Sequence, residues 1–396
     1  KFYIGTAMNT GQINGTDTAS LRVINEQFSA VVAENCMKSE VIQPEEGKFD
    51  FTLADKFVDF AEKNNLYPTG HVLIWHSQAP KWFFVDSEGK EVSKEVLIER
   101  MRKHIHTVVG RYKGKIKGWD VVNEAIEDNG EWRKSKFYKI IGPDFVKLAF
   151  QFAHEADPKA ELYYNDYSMA LEGRRNGVVN MVKELQRQGV KIDGIGMQGH
   201  IGMDYPSIQD FEKSILTFAG LGMKVMITEL DLSALPTPQG NRGANLTDMT
   251  AYNEKINPFK NGITPEAEAA WENRYLDFFK LFLKHKDKIT RVTLWGVSDA
   301  GSWKNNFPVR GRTDYPLFFD RQYNPKKIVQ LVIDEASKLS PNALMYLQDI
   351  WDGIEDNAGI VIAGVEYLIN NIKKGAEKNK CGMPEFYGRV SKWVYL

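Results

Sequence analysis

Short runs of apolar, mostly β-branched residues alternate along the chain with longer stretches in which apolar positions recur every three or four residues. Runs of the first kind predict buried strands, and stretches of the second kind predict amphipathic helices. The predicted strands are 2–6, 30–34, 67–74, 117–122, 161–165, 194–198, 224–228 and 291–295. The predicted helices are 18–28, 51–64, 95–112, 143–156, 174–188, 207–221, 265–284 and 325–339.

Because a helix follows each strand, the pattern favours parallel pairing with right-handed crossovers. Eight such units over about 340 residues predict an α/β fold of the (β/α)8 TIM-barrel type. The alternative is an open, doubly wound sheet. Such a sheet more often carries a glycine-rich phosphate-binding turn after its first strand, and none follows residues 2–6.

Two stretches interrupt the alternation. Residues 233–264 form a long polar segment rich in Pro, Gly and Asn, which is typical of a functional or mobile loop. Residues 340–396 follow the eighth predicted helix and carry apolar residues at helical spacing in 344–354 and 361–372. We therefore predict a barrel domain over 1–339 and a helical appendage over 340–396, which packs on the barrel or on another chain. Whether the appendage is a native or a fused segment stays open.

Composition excludes several classes of protein. The 51 Lys and Arg residues against 52 Asp and Glu give a net charge of −1, which provides no bulk field for nucleic acid or an anionic membrane. No apolar run reaches the roughly 18 residues of a membrane span. The two cysteines, Cys36 and Cys381, are too few for a disulfide framework or a cysteine-based metal site. Aromatic residues make up 12% of the chain, a surplus that suits sugar binding.

Polar, charged or aromatic side chains follow seven of the eight predicted strands. In a parallel barrel the carboxyl ends of all strands face the same side, where ligands bind. The side chains at or just after these ends are Glu34, Asn35, Lys38, His71, Trp75, His76, Gln78, Asn123, Glu124, Asn165, Asp166, Tyr167, Gln198, His200, Glu229, Asp231, Trp295 and Trp303.

Two of these residues, Glu124 and Glu229, end the fourth and seventh predicted strands on roughly opposite sides of the barrel mouth. A facing pair of carboxyl groups is what glycosidic cleavage requires. Alternatively, each glutamate forms a buried ion pair, with Lys38 or His200. Asn123 favours the catalytic interpretation, because an amide next to Glu124 can bind a sugar hydroxyl.

A metal site is the other alternative. Three glutamates, with Glu34 as the third, could hold Mg²⁺ at a barrel mouth. The fifth and sixth predicted strands, however, end mainly in amide and imidazole side chains, so we predict neither a metal nor another cofactor.

Six blocks of the sequence resemble the signature blocks of glycoside hydrolase family 10, the endo-β-1,4-xylanases. They occur in family order and span about residues 1–339. The blocks are AENCMK at 33–38, GHVLIWHSQ at 70–78, WDVVNEA at 119–125, GIGMQGH at 194–200, ITELD at 227–231 and LWGVSD at 294–299. One departure is Cys36, where the family usually carries Ala. Residues 340–396 match nothing in the family pattern.

The resemblance implies a catalytic (β/α)8 barrel that hydrolyses xylan with retention, with Glu124 as acid/base and Glu229 as nucleophile. His200, Asp231 and Asn123 are expected to support this pair. Other residues are implied to bind substrate, mostly on the non-reducing side of the cleaved bond, with Tyr167 near the reducing side. These are Glu34, Asn35, Lys38, His71, Trp75, Gln78, Gln198, Trp295, Trp303 and Tyr167. We expect repulsion between the two glutamates to raise the pKa of Glu124.

These inferences predict an endo-acting xylanase whose partners are xylan and xylo-oligosaccharides. A carbohydrate-binding barrel without activity is one alternative, and a β-1,4-glucanase is another, disfavoured because Lys38 and Trp295 would crowd the hydroxymethyl group of glucose. Polymeric xylan cannot enter a cell, so we expect a secreted or cell-surface enzyme. The sequence begins without a leader, so we expect that any export signal has been removed or was never present.

Overall fold

Eight parallel strands close into a barrel in the computed structural model, which describes residues 2–238 and 249–329. The strands are β1 (Tyr3–Met8), β2 (Ala30–Ala33), β3 (Tyr67–Trp75), β4 (Gly118–Asn123), β5 (Glu161–Asp166), β6 (Gly194–Met197), β7 (Lys224–Ser233) and β8 (Ile289–Leu294). Each strand pairs with the next one along the chain, and β8 pairs with β1, which closes the sheet. The predicted (β/α)8 barrel is confirmed.

Helices connect the strands in the predicted order. They are α1 (Thr18–Gln27), α2 (Thr52–Lys63), α3 (Lys94–Arg111), α4 (Asp144–Ala156), α5 (Glu172–Arg187), α6 (Ile208–Gly220) and α7 (Pro265–Lys284). Several begin at the kind of residue that caps helices. Asp17 accepts a hydrogen bond from the Ser20 amide at the start of α1, and Ser207 accepts one from the Asp210 amide at the start of α6.

Apart from single-turn 3-10 helices, four short elements in the described ranges were not predicted. Three are helices of four to six residues, Thr10–Ile13, Ser39–Ile42 and Lys136–Ile141. The fourth is a strand, His200–Gly202, which pairs in parallel with β7 and places His200 opposite Asp231. This additional strand matters for function, because it fixes a histidine beside the end of β7.

Neighbouring strands of the barrel pack large residues over glycines. A Cβ atom at Gly70 would lie 2.1 Å from the Trp119 ring, and one at Gly118 would lie 2.4 Å from the Tyr163 hydroxyl. Glycine is therefore required where β3 meets β4 and where β4 meets β5. Every residue of β2 and β4 is buried, so the strands that carry the predicted site form a rigid support.

The chain divides into two compact units, one of residues 1–271 and 285–324 and the other of residues 272–284 and 325–396. All eight strands lie in the first unit. Within the second, Lys327 Nζ lies 3.8 Å from Glu272 Oε2. The appendage predicted over 340–396 and most of the helix predicted over 325–339 lie outside the described residues, as does the middle of the 233–264 segment. No helix in the described ranges is long and apolar enough to cross a membrane.

Candidate active site

Glu124 directly follows β4 and has a left-handed backbone, with φ +57°. This conformation is unfavourable for a residue with a side chain and is found where surrounding contacts enforce it. Here the Glu124 amide donates to the Asn165 carbonyl at 3.0 Å, and Arg133 Nε donates to the Glu124 carbonyl at 2.8 Å. The next amide, that of Ala125, donates to the Tyr164 hydroxyl at 2.9 Å. The backbone around Glu124 is thus held from three sides.

The Glu124 carboxyl group is buried at the barrel mouth and accepts two strong side-chain hydrogen bonds. Trp75 Nε1 donates to Oε2 at 2.8 Å, and Gln198 Nε2 donates to Oε1 at 3.0 Å. Burial, with the negative charge of Asp166 as the next cause, raises the pKa of Glu124 to about 7. Repulsion from Glu229 contributes less than either, so the sequence-based expectation had the direction right and the main cause wrong.

His76 lies beside the same carboxyl group, with Nδ1 4.0 Å from Glu124 Oε2. Burial, together with the positive charges of Arg133 and Arg174, lowers the pKa of His76 to about 3. The ring is therefore neutral over the ordinary pH range and does not offset the burial of Glu124.

Glu229 lies on β7 in a very different electrostatic environment. Asn165 Nδ2 donates to its Oε1 at 2.8 Å, and His200 Nε2 lies 3.2 Å from its Oε2. Burial alone would favour the neutral acid. The hydrogen bonds from His200 and Asn165 and the neighbouring His71 ring outweigh burial and hold the pKa of Glu229 below its usual value.

His200 lies between two carboxylates. Its Nδ1 is 3.0 Å from Asp231 Oδ2, on the opposite side of the ring from Glu229. Burial disfavours the charged ring, but Asp231 and Glu229 outweigh it and raise the pKa of His200. Asp231 is itself held by Trp303, whose Nε1 donates to Oδ2 at 2.7 Å, and by Lys304 at 3.8 Å. The imidazolium form of His200 thus donates to both carboxylates.

Asn165, at the carboxyl side of β5, connects the two glutamates. Its Nδ2 donates to Asn123 Oδ1 as well as to Glu229 Oε1, each at 2.8 Å, and its Oδ1 accepts a bond from Thr228 Oγ1 at 2.6 Å. With all three contacts fixed, Asn165 sets the relative position of β4, β5 and β7 at the mouth.

Lys38 occupies another part of the mouth and does not form the ion pair with Glu124 or Glu229 that the sequence left open. Its Nζ donates to Asn35 Oδ1 and Gln78 Oε1, each at 2.9 Å, and lies 4.9 Å from the centre of the Trp75 ring. Burial lowers the pKa of Lys38, although the nearby carboxylates oppose this shift. Burial likewise raises the pKa of Glu34, against the effect of the Lys38 charge.

Aromatic and imidazole rings complete the Lys38 side of the barrel mouth. His71 Nδ1 lies 2.9 Å from Asp120 Oδ2, and the His71 and Trp295 rings meet edge to face with centres 5.4 Å apart. Trp303 packs against the cluster that contains Trp295. Tyr167 lies on the Glu124 side instead, where its hydroxyl accepts a bond from Arg133 at 2.7 Å.

The predicted site residues thus lie around one mouth, and the structure adds others to which the sequence reasoning gave no role in catalysis or binding. The added residues that hold or surround the glutamates are His76, Asp120, Arg133, Tyr164, Asn165, Asp166 and Arg174. Their signals in the sequence differ. His76, Asn165 and Asp166 lie at or just after the ends of predicted strands, which already placed them at the barrel mouth, whereas Arg133 lies in a loop without any motif.

Chemically, the site pairs one glutamate that is protonated near neutral pH with another that stays ionised. Two carboxyl groups separated in this way can act as proton donor and as nucleophile or base. Within the described ranges, no group of three or more His, Cys, Asp and Glu side chains is arranged to hold a metal ion.

Comparison with known proteins agrees with this chemistry. A model of glycosyl hydrolase family 10 matches residues 1–335. Endo-1,4-beta-xylanase A of Xylanibacter ruminicola is 54% identical over 332 residues, which cover 84% of this chain and 90% of that protein. An endo-1,4-beta-xylanase of Geobacillus stearothermophilus is 40% identical over 341 residues, covering 84% of this chain and 95% of that protein. Among solved structures, a GH10 endoxylanase retrieved from a sugarcane soil metagenome has a TM-score of 0.82 at 45% identity and covers 84% of this chain and 97% of its own. With most of its length matched in each comparison, the chain belongs to glycosyl hydrolase family 10.

Proposed function

We propose that this protein hydrolyses internal β-1,4-xylosidic bonds of xylan by a double displacement that retains the anomeric configuration. The observation that carries the proposal is the pair of buried glutamates whose pKa values are shifted in opposite directions, that of Glu124 up to about 7 and that of Glu229 down. Family membership and the names of the relatives support the choice of xylan as substrate.

In the first step Glu229 attacks the anomeric carbon while Glu124 donates its proton to the departing glycosidic oxygen. The bond to the leaving sugar breaks, and an ester between xylose and Glu229 forms. In the second step the ionised Glu124 takes a proton from water, which attacks the same carbon and releases Glu229 as a carboxylate. A retaining pair requires carboxyl groups about 5–5.5 Å apart.

The supporting residues keep the two roles distinct. His200, oriented by Asp231, holds the Glu229 carboxylate in place and stabilises its charge until the ester forms. Asn123 offers its amide to a hydroxyl of the sugar at the reaction centre. Since Asn165 donates to both Asn123 and Glu229, sugar binding and nucleophile position are mechanically linked.

Substrate binding is assigned mainly to the non-reducing side of the cleaved bond. The residues proposed to contact the sugars there are Glu34, Asn35, Lys38, His71, Trp75, Gln78, Gln198, Trp295 and Trp303, with Tyr167 toward the reducing side. Lys38 is fixed by two amide acceptors and so presents its remaining N–H to a sugar hydroxyl. We expect Lys38 and Trp295 to crowd the hydroxymethyl group that distinguishes glucose from xylose.

We further propose that residues 1–339 form the catalytic domain, and that the protein acts outside the cell or at its surface, where polymeric xylan is accessible. Residues 340–396 are proposed as an accessory segment that contacts the barrel or another chain and takes no part in catalysis.

A reducing-sugar assay on xylan, cellulose and mixed-linkage glucan tests the proposed activity. We expect xylan to be cleaved much faster than the two glucans. Glu229→Gln and Glu124→Gln should lose activity on xylan, whereas Glu131→Gln, which changes an exposed glutamate, should not. Equal rates on cellulose and xylan would contradict the proposed specificity. Xylan binding without cleavage by the wild type would favour a binding protein instead.

A further inference from the structure

The loop that follows Glu124 is seated directly on the start of α5. Residues 125–133 form a hairpin that is closed by a hydrogen bond of 2.8 Å between the backbones of its first and last residues. Glycines let this hairpin touch the helix. A Cβ atom at Gly173 would lie 2.4 Å from the Asp128 carbonyl oxygen, and one at Gly177 would lie 2.5 Å from another carbonyl oxygen of the hairpin. The segment attached to the proton donor is therefore joined to a helix on the outside of the barrel.

Arg174, in the first turn of α5, ties this hairpin to the end of β5. Its side chain is only 1% exposed. Nε and Nη2 donate to Asp128 Oδ1, at 3.0 and 2.6 Å, and Nη1 donates to Asp166 Oδ1. The guanidinium carbon also lies 4.1 Å from the centre of the Tyr167 ring. One buried cation thus holds side chains from both loops that flank Glu124.

Asp166 transmits this constraint to the backbone of Glu124. Its Oδ2 accepts a hydrogen bond from the Tyr164 hydroxyl, and that hydroxyl in turn accepts the Ala125 amide at 2.9 Å. Together with the two contacts of Arg174, these bonds close a ring that returns to the hairpin at its first residue. The ring lies beside the left-handed backbone of Glu124, which surrounding contacts must enforce.

Asp166 also brings a negative charge close to the Glu124 carboxyl group. Asp166 is 0% exposed, and after burial its charge is the next cause of the raised pKa of Glu124. Burial raises the pKa of Asp166 as well, and the positive charge of Arg174 is the strongest effect that opposes this. The charged or titratable side chains that act on these two carboxyl groups are Tyr164, Tyr167, Arg133, Arg174, Glu229, His76 and Lys38.

We propose that the buried pair of Asp166 and Arg174 is a positioning unit for the proton donor, which aligns Glu124 with the departing glycosidic oxygen. The proposal rests on the proposed function and adds two positioning residues to it. The pair acts through Tyr164 and the hairpin, whereas Glu229 is held by His200 and Asn165. Loss of the pair should therefore impair proton donation and leave nucleophilic attack nearly intact.

Asp166→Asn tests the pair, because it removes the charge with little change of shape. The readout is kcat/KM, which reflects the steps up to formation of the ester on Glu229, on two substrates. A short xylo-oligosaccharide needs a proton on its leaving group, and dinitrophenyl xylobioside does not. At the pH optimum we expect a fall of about tenfold on the oligosaccharide and of less than about twofold on the dinitrophenyl substrate, since a general acid contributes about 10²–10⁴-fold.

The pH profile gives a second readout for the same variant. On the oligosaccharide, the alkaline limb set by Glu124 should move to lower pH, by about one unit, because a like charge that faces Glu124 is lost. The acid limb, set by Glu229, should stay in place. A purely structural role of Asp166 would lower activity without moving one limb alone.

Asp128→Asn opens the ring on its exposed side and decides the proposal if Asp166→Asn does not fold. The Asp128 side chain is 59% exposed, so the fold should tolerate the change. We expect kcat/KM to fall about threefold on the oligosaccharide, the scale of an exposed ion pair, and to stay level on the dinitrophenyl substrate.

Asp193→Asn is the matched control at the opposite end of β5. Its carboxylate lies 3.2 Å from Lys191 Nζ and accepts the Leu162 amide at 2.8 Å. The substitution therefore removes an ion-paired carboxylate bound to β5 without touching the ring. It should change kcat/KM on the two substrates equally, and by less than about twofold.

Falls of equal size on the two substrates, for Asp166→Asn or Asp128→Asn, would reduce the pair to a structural role and overturn the proposal. An alkaline limb that stays in place in folded Asp166→Asn would overturn it too, and so would a difference between the substrates in Asp193→Asn. A wild type that cleaves neither substrate would contradict the proposed function and this proposal with it, whereas all the other outcomes leave that function intact.

Discussion

The contact between His200 and Glu229 gives a sharp prediction for the variant His200→Ala. In the wild type, His200 Nε2 lies 3.2 Å from Glu229 Oε2, and the imidazolium helps to hold the pKa of Glu229 below its usual value in spite of burial. The substitution removes both the donor and the positive charge, while Glu229 remains buried. The pKa of Glu229 must then rise.

The size of the shift follows from the contact that is lost. A hydrogen bond to a charged group contributes about 1.5–3 kcal/mol, and one pKa unit corresponds to about 1.4 kcal/mol. Loss of His200 should therefore raise the pKa of Glu229 by about 1–2 units. Because Glu229 must be ionised to attack, the acid limb of the kcat/KM profile should move to higher pH by that amount.

The assay is the pH dependence of kcat/KM on a short, unactivated xylo-oligosaccharide, for the wild type, His200→Ala and His200→Gln. Glutamine can still donate a neutral hydrogen bond to Glu229, so its acid limb should lie between the other two. The alkaline limb, set by Glu124, should stay in place. An alkaline limb that moves while the acid limb does not would refute the assigned role of His200, and so would a rise in KM with both limbs unchanged.

Three further predictions concern the proton donor, its backbone and the appendage. With the pKa of Glu124 at about 7, kcat/KM on xylan should fall about tenfold per pH unit above pH 7. On an aryl xyloside, whose good leaving group needs no proton, kcat/KM should stay level over the same range, and a pH series on both substrates checks this. Tyr164→Phe leaves the Ala125 amide without its acceptor, so the free energy of unfolding, measured by denaturant titration, should fall by about 1–3 kcal/mol. Steady-state kinetics should show a lower kcat at a similar KM. Deleting residues 341–396 should preserve xylan cleavage while altering solubility or oligomeric state, as activity assays and size-exclusion chromatography can show.

The sequence predicted the barrel well because its strands are buried on both faces and therefore appear as continuous apolar runs. The observed strands agree with the predicted ones to within a few residues at most ends. The largest difference is the seventh, predicted to end at 228 and observed to reach Ser233, because the loop-side half of β7 pairs with the additional strand at His200–Gly202. A strand of three residues has no periodicity to detect.

The site was predictable to the extent that its residues sit at strand ends. Glu124 and Glu229 could be identified because the parallel topology places all such ends at one mouth. Arg133, which holds the Glu124 backbone, comes from a loop whose path depends on tertiary packing and leaves no local pattern. The dominance of burial in raising the pKa of Glu124 was likewise inaccessible, because desolvation depends on everything packed around the carboxyl group.

The central claim is that Glu229 is the nucleophile and Glu124 the acid/base, and the configuration of a trapped azide product tests it most directly. An aryl xylobioside is incubated with azide and either Glu124→Ala or Glu229→Ala, and the anomeric proton of the product is observed by NMR. With Glu124→Ala, azide should restore turnover and give the β-azide, because it attacks a xylosyl ester on Glu229 from the face that water normally uses. With Glu229→Ala, no ester can form, so azide should attack the substrate directly and give the α-azide. A β-azide from Glu229→Ala, or an α-azide from Glu124→Ala, would contradict the assignment.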